Sequence, residues 1–227
     1  YRLSHKDSPI KNSSKHYFAD KITYDEFGKG SYDIYVIGEY IDRIKLNVLG
    51  SHNIANSLAT VALADSLDLS MDTIKKGILS FKGTTRRFEY KGDLAGITII
   101  DDYAHHPTEV HATLSAAKNY PHNSIYCVFQ PHTYTRTKTF LKEFAKALSM
   151  ADTIILSDIY AAREKDPGDI SSKDLADELV KLGKQAYYFD SFGQIENFIL
   201  ENCTKGDLLI TMGAGDIVKV GESLLGI

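Results

Sequence analysis

Ile97-Thr98-Ile99-Ile100-Asp101-Asp102-Tyr103-Ala104-His105-His106-Pro107-Thr108-Glu109 is the stretch whose reading decides the fold. An apolar run leads in. Two carboxylates and two imidazoles then crowd into six positions, ahead of a proline suited to open a helix. Open α/β sheets place ligand chemistry where a buried strand ends and the chain turns into a helix. Buried unpaired charge is costly, so packing alone would seldom put these groups there. The segment therefore reads as a site at the C-terminal end of a strand.

Downstream of Arg86 the pattern is strand, helix, strand, helix. Strand candidates are Thr98–Ile100, Ser124–Phe129, Thr153–Leu156, Ala186–Phe189 and Leu208–Thr211. Helical stretches are expected near Pro107–Asn119, Thr137–Ser149, Ser172–Leu182, Gln194–Asn202 and Asp216–Leu225, with Ser171 and Asp174 as a capping pair. Such alternation predicts an α/β fold: a Rossmann-like, mostly parallel sheet with helices on both faces. Right-handed crossovers then gather Asp102, Gln130-Pro131-His132, Asp158 and Gly213 on one rim. Upstream of a break in style near Phe81–Arg86, Lys15–Val48 alternates in polarity and reads as antiparallel strands. A helical stripe of Ile54, Leu58, Val61 and Ala62 follows, then a short helix over Met71–Leu79 capped by Ser70. The expected domains are 1–84 and 85–227.

The 227 residues allow one large or two modest domains. Hydrophobic residues at 43% and charged residues at 25% are the ordinary mix of a soluble globular protein. A net charge of −4 gives no electrostatic reason to expect nucleic acid or an anionic membrane. No apolar run approaches the ~20 residues that span a bilayer, and no signal-peptide pattern opens the chain. Cys127 and Cys203 lack metal-ligand spacing and read as small hydrophobes of a reducing cytosol. The chain opens at Tyr1 on a polar stretch, Ser4–Ser14, which suggests a piece of a longer protein.

Five constellations carry possible chemistry, and each has a bland alternative. In Gly50-Ser51-His52-Asn53-Ile54-Ala55-Asn56, Asn53 and Asn56 share a helix face, and their carboxamides suit a purine edge. The alternative is that Ser51 or Asn53 caps the helix. Arg86-Arg87-Phe88-Glu89 offers two guanidiniums for phosphate oxygens, or merely a surface ion pair with Glu89 or a nearby acid. Asp101–Glu109 suits a ribose clamp or a metal site, though adjacent His105 and His106 diverge; alternatively Asp101 caps backbone amides. In Gln130-Pro131-His132-Thr133-Tyr134-Thr135-Arg136, His132 and Arg136 are placed to share a cleft with His105, or Arg136 only decorates the surface. Met212-Gly213-Ala214-Gly215-Asp216 is an incomplete dinucleotide fingerprint with Val218 at the third glycine position, and reads better as a tight turn.

In this order, these motifs together with Phe81-Lys82-Gly83 resemble the Mur ligase family, from Asn47 onward. The resemblance implies the end of a P-loop-type ATPase domain (β-rich, then helical) followed by a Rossmann-like amino-acid-binding domain. It implies an ATP-dependent acid–amino-acid ligase of cytoplasmic cell-wall synthesis. Its cofactors would be ATP and Mg2+, with the metal ligands and the phosphate loop upstream, since no G-x-x-x-x-G-K-[ST] occurs here. This chain alone is then expected to be inactive. The small-molecule substrates implied are UDP-N-acetylmuramate, L-alanine and ATP, through an acyl phosphate, with no nucleic acid or membrane partner. By match to the family motifs, Asn53 and Asn56 meet adenine, Arg87 reaches ATP and Asp102 holds the ribose. Tyr103, His105, His132 and Arg136 line the alanine and carbonyl site, with Arg136 on the alanine carboxylate. Thr133 stands where some relatives carry a basic residue, and no residue is assigned to metal.

Three other readings compete. One is a recycling ligase that attaches a whole tripeptide, against which the Gln130-Pro131-His132 run speaks. The second is a metal-dependent hydrolase built on Asp101, Asp102, His105 and His106. The third is a non-catalytic nucleotide-binding module.

Overall fold

The computed structural model describes residues 15–25 and 27–227, so the expected irregular run Ser4–Ser14 lies outside the described residues. The chain divides into two compact units, Tyr1–Gly83 and Thr84–Ile227.

In the first unit, β1 (Tyr17–Tyr24), β2 (Lys29–Val36) and β3 (Glu39–Leu49) form an antiparallel sheet in that order. Ile37 and Gly38 join β2 to β3 with φ of 51° and 84°, the paired left-handed turn that matches strand twist. Helices α1 (Ser51–Ser66) and α2 (Met71–Ser80) cover the sheet. Ile54, Leu58, Val61 and Ile74 pack with Tyr32, Ile34, Ile44 and Leu46. Ala62, the fourth member of the expected stripe, is only half-buried. Ser70 caps α2 as expected, its Oγ accepting the Thr73 amide at 3.4 Å. Neither Ser51 nor Asn53 caps α1. Its N-cap is Gly50, without a side-chain bond, because the Asn53 carboxamide turns back to donate to the Leu49 carbonyl at 2.7 Å.

The second unit holds β4 (Glu89–Leu94), β5 (Ile97–Asp102), α3 (Pro107–Ala117), β6 (Ile125–Phe129), α4 (Tyr134–Thr139), α5 (Leu141–Leu148) and β7 (Thr153–Leu156). It continues with α6 (Ser172–Lys181), β8 (Gln185–Tyr188), α7 (Phe192–Asn202), β9 (Leu208–Met212) and α8 (Val218–Leu225). The sheet order is β4-β5-β9-β6-β7-β8, with only β4 antiparallel to its neighbour. Successive side chains of a strand face opposite sides, so each strand supplies two cores. Ile100, Cys127, Phe129, Ile154 and Ile210 meet Val110, Leu114, Phe144, Leu148, Leu175 and Leu179 on one face. Ile99, Val128, Ile155 and Leu209 meet Ile195, Ile199 and Val220 on the other. Helices thus cover both faces, as expected.

The last strand, β9, inserts between β5 and β6, so strand order reverses there, at the position where open sheets bind ligands. Register aligns Asp102, Met212, Phe129, Leu156 and Tyr188 across the sheet, and the five parallel strands end on one row.

Two elements depart from expectation. Strand β4 was not foreseen, because Glu-Tyr-Lys-Gly-Asp-Leu lacks apolar alternation. It forms as an edge strand, hairpinned to β5 through Ala95 and Gly96 at φ 52° and 87°. The single helix expected over Thr137–Ser149 is two, α4 and α5. Phe140 leaves helical geometry between them (φ −112°, ψ 26°) and sets its ring 4.9 Å from His106. Among the described residues no helix is long and apolar enough to cross a membrane.

Phe144 is fully buried, its ring 5.5 Å from Phe129 under the row of strand ends. Phe144→Ala should cost about 3–5 kcal/mol in urea unfolding. A loss below about 1 kcal/mol would place Phe144 outside the core.

Candidate functional site

The rim begins with a buried ion pair. Asp101 is fully buried, and its carboxylate accepts Arg86 Nε at 2.8 Å and Thr211 Oγ1 at 2.8 Å. The same guanidinium donates to the carbonyls of Gly213 (2.7 Å) and Gly215 (3.0 Å). Its charge also lies 4.9 Å from the centre of the Tyr103 ring. Burial pushes the Asp101 carboxyl upward, against the bonds from Arg86 and Thr211. Arg86 is therefore committed within the fold as an internal clip, the ion-pair alternative realised in buried form with Asp101. Its carboxylate partner is Asp101; Glu89 instead accepts the Arg86 backbone amide at 2.7 Å. The other guanidinium, Arg87, lies 5.7 Å from the Tyr103 ring centre and has no salt bridge among the described residues.

Asp102 does what was expected of Asp101. Its oxygens accept the amides of Phe88 and Ala104, both at 2.8 Å, at 5% exposure. Burial raises its carboxyl, and those two amides oppose the rise. Phe88 adopts a φ of 47°, a left-handed conformation that a bulky residue takes only when its surroundings impose it. The Thr113 side chain also bonds the Asp102 carboxylate.

The two adjacent histidines have different tasks. His106 is the N-cap of α3: its Nδ1 accepts the Thr108 amide at 3.3 Å, and Glu109 reaches back to the His106 amide at 3.2 Å. His105 places Nδ1 3.0 Å from the Tyr103 carbonyl. A carbonyl only accepts, so Nδ1 carries a proton, and in the neutral ring Nε2 is the acceptor. The third pole is His132, whose Nδ1 lies 3.0 Å from Arg136 Nη1. A guanidinium only donates, so this Nδ1 accepts and the proton sits on Nε2. The His105 and His132 rings are 5.5 Å apart, and one presents an acceptor, the other a donor. Burial first, then Arg136 and His105, hold His132 below its ordinary value of 6.5, while Glu164 opposes them.

Glycines are required at the neighbouring turn. Gly213 has φ 149°, and a Cβ there would sit 2.8 Å from the Gln130 carbonyl. A Cβ on Gly215 would collide with the Gln130 side chain and the Tyr160 ring. Gln130 spans the turn, donating to Asp216 at 3.0 Å and accepting the Ile217 amide at 3.3 Å. The partial fingerprint is thus a tight turn, as its missing third glycine implied.

Tyr103, His105, His132 and Arg136 are brought together on the rim, with Asp102 and Arg87 beside Tyr103. Asn53 and Asn56 lie in the first unit, where Asn56 Nδ2 donates to Asn53 Oδ1 at 3.1 Å, and Asn56 is the exposed member. The four-ligand metal reading fails on geometry. Asp101 and Asp102 are bound to Arg86, Thr211 and backbone amides, and His106 caps a helix. Among the described residues no group of three or more His, Cys, Asp or Glu is placed to hold a metal. Tyr160 was missed. The available signal was its place just past Asp158, at the end of an apolar strand.

A Rossmann-like sheet with a polar rim at its reversal of strand order defines the class: an α/β ligand-binding domain. Residues 86–215 match the family described as Mur ligase, glutamate ligase domain, and the chain belongs to the Mur ligase family. It is 62% identical over 209 residues to UDP-N-acetylmuramate–L-alanine ligase of Lachnoclostridium phytofermentans, covering 92% of this chain and 45% of that protein. The ligase of the same name from Lachnospira eligens is 56% identical, with 92% and 46% covered. The chain thus spans just under half the length of these relatives. Its fold is similar to that of UDP-N-acetylmuramate-alanine ligase from Thermotoga maritima, with a TM-score of 0.79 and 30% identity over 92% of this chain and 45% of that one.

Removing Arg86 strands a buried carboxylate, so Arg86→Met should cost about 3–5 kcal/mol in denaturant unfolding. Arg87→Ala should stay within about 0.5 kcal/mol. Equal costs for the two would refute the division of labour.

Folded His132 prefers the neutral ring. Its contribution to stability is therefore complete above 6.5 and is lost as pH falls through that value toward the folded pKa. In an NMR titration His132 should titrate below 6.5, and Arg136→Gln should move it upward. An unmoved titration would remove Arg136 as its partner.

Proposed function

We propose that the full-length protein is an ATP-dependent ligase that joins L-alanine to UDP-N-acetylmuramate during peptidoglycan synthesis in the cytoplasm. One observation carries this reading: 62% identity over 92% of the chain, hence across both units, to a relative named for that reaction. A murein peptide ligase from Psychrobacter arcticus, at 23% identity, is similar in fold alone and lends no support to the tripeptide reading.

In the proposed reaction the muramate carboxylate takes the γ-phosphoryl group of ATP and ADP leaves. The alanine amine attacks the acyl carbon, and the tetrahedral intermediate expels phosphate as the nitrogen loses its proton. The residues position groups and stabilise charge. Arg136 keeps part of its planar fork free of His132 and is assigned to the alanine carboxylate. His105 Nε2, the free acceptor, takes the amine proton. His132 Nε2–H donates to the oxygen that becomes negative in the intermediate. Tyr103 sets the wall beside them. Arg87 is assigned to ATP phosphate, Asp102 to the ribose, and Asn53 with Asn56 to adenine. Mg2+ would screen phosphate charge. The described residues include no cluster suited to it, and none of those named here is assigned to it.

The full-length protein should release phosphate from ATP only with UDP-N-acetylmuramate and L-alanine both present. Arg136→Ala should raise the KM for alanine about tenfold or more with little change for ATP, and Asn56→Ala should do the reverse. Preference for a muramyl tripeptide over alanine would overturn the reading.

A further inference from the structure

Four rings cross the rim in series. Tyr103 meets His105 edge-on (5.6 Å, 83°), His105 meets His132 (5.5 Å, 65°), and His132 stacks on Tyr160 (5.6 Å, 16°). Tyr160 has no role in the assignments above, yet it is held from three sides. Its amide donates to the Pro131 carbonyl at 2.8 Å, and its carbonyl accepts the Thr133 amide at 3.0 Å. Its ring lies against Gly215, where any side chain would collide with it. The tie to His132 is repeated in the backbone, where the two residues form a parallel bridge.

A histidine ring turns about χ2, and a half-turn exchanges Nδ1 for a carbon. That exchange would break the bond to Arg136 and carry the Nε2 proton elsewhere. A near-parallel ring resists it by restricting the imidazole plane. The geometry points to Tyr160 as a positioning residue for His132: its ring face locks the imidazole so that Nδ1 stays on Arg136 and Nε2–H stays free for the substrate. The constraint comes from the aromatic face, so the phenol oxygen is dispensable. The catalytic consequence rests on the proposed ligase reaction; the effect on the His132 ring does not.

Two measurements on the full-length protein test this. Arg136, His105 and Glu164 are the charged or titratable groups acting on His132, and all three are left intact. In a histidine-selective NMR titration, Tyr160→Ala should raise the His132 titration toward 6.5 and broaden its ring signals. Tyr160→Leu, which keeps bulk without an aromatic face, should broaden the ring signals as Tyr160→Ala does, and Tyr160→Phe should keep them sharp with His132 near its native titration. In the ligase assay, Tyr160→Ala should lower kcat about tenfold or more while the KM for ATP changes less than about twofold. Tyr160→Phe should recover most of that loss. His132 ring signals as sharp as the native ones in both Tyr160→Ala and Tyr160→Leu overturn the proposal, and so does a Tyr160→Phe variant as damaged as Tyr160→Ala. Absence of any alanine-dependent activity in the native protein would sink the ligase reading instead, and the titrations would still decide the role of Tyr160.

Discussion

The rim depends on one arginine seated on a buried carboxylate. Asp101 lies one residue before the end of β5 at full burial, and a lone charge there would carry a large desolvation cost. Arg86 offsets it and spends its remaining donors on the carbonyls of Gly213 and Gly215. The crest of β5, the turn after β9 and the loop before β4 are thereby tied at one point. A lysine, with a single point charge, lacks the planar fork needed for three acceptors in different directions.

That tie fixes the ligand-facing groups in turn. Tyr103 lies under Arg86 and takes the Arg86 carbonyl on its amide at 2.7 Å. Its own carbonyl sets the tautomer of His105. From the other side Arg136 sets the tautomer of His132, opposite to that of His105. Two imidazoles of equal intrinsic chemistry thus present one acceptor and one donor, and their two partners, the Tyr103 carbonyl and the Arg136 guanidinium, make the difference.

Much of this was legible in the sequence. Continuous apolar runs bounded by turns marked β5, β6, β7 and β9, because strands buried on both faces leave no alternation to misread; the partly exposed edge strand β8 was found from the run Ala186–Phe189. Capping chemistry placed α2 and α6 to within a residue or two. The edge strand β4 escaped, since Lys91, Gly92 and Asp93 carry no apolar signal and the hairpin turn holds Ala95 where a glycine or asparagine would have announced it. The break at Phe140 also escaped, because its cause is a ring contact with His106, far away in sequence. The strand order, with β9 between β5 and β6, came only from the packed sheet.

The sequence by itself determined that acidic, imidazole and guanidinium groups would gather where parallel strands end. Residue type and spacing alone could not assign work within the doublets Arg86-Arg87, Asp101-Asp102 and His105-His106; only the resemblance to the Mur ligase motifs singled out Arg87, Asp102 and His105. Adjacent residues on extended chain project to opposite sides, and their roles depend on what each side meets. Only the tertiary structure sent Arg86, Asp101 and His106 inward to clip and cap, and turned Arg87 and His105 to the rim beside Asp102. Tyr160 shows the same limit: its meaning lies in the ring it faces, and no spacing along the chain records that.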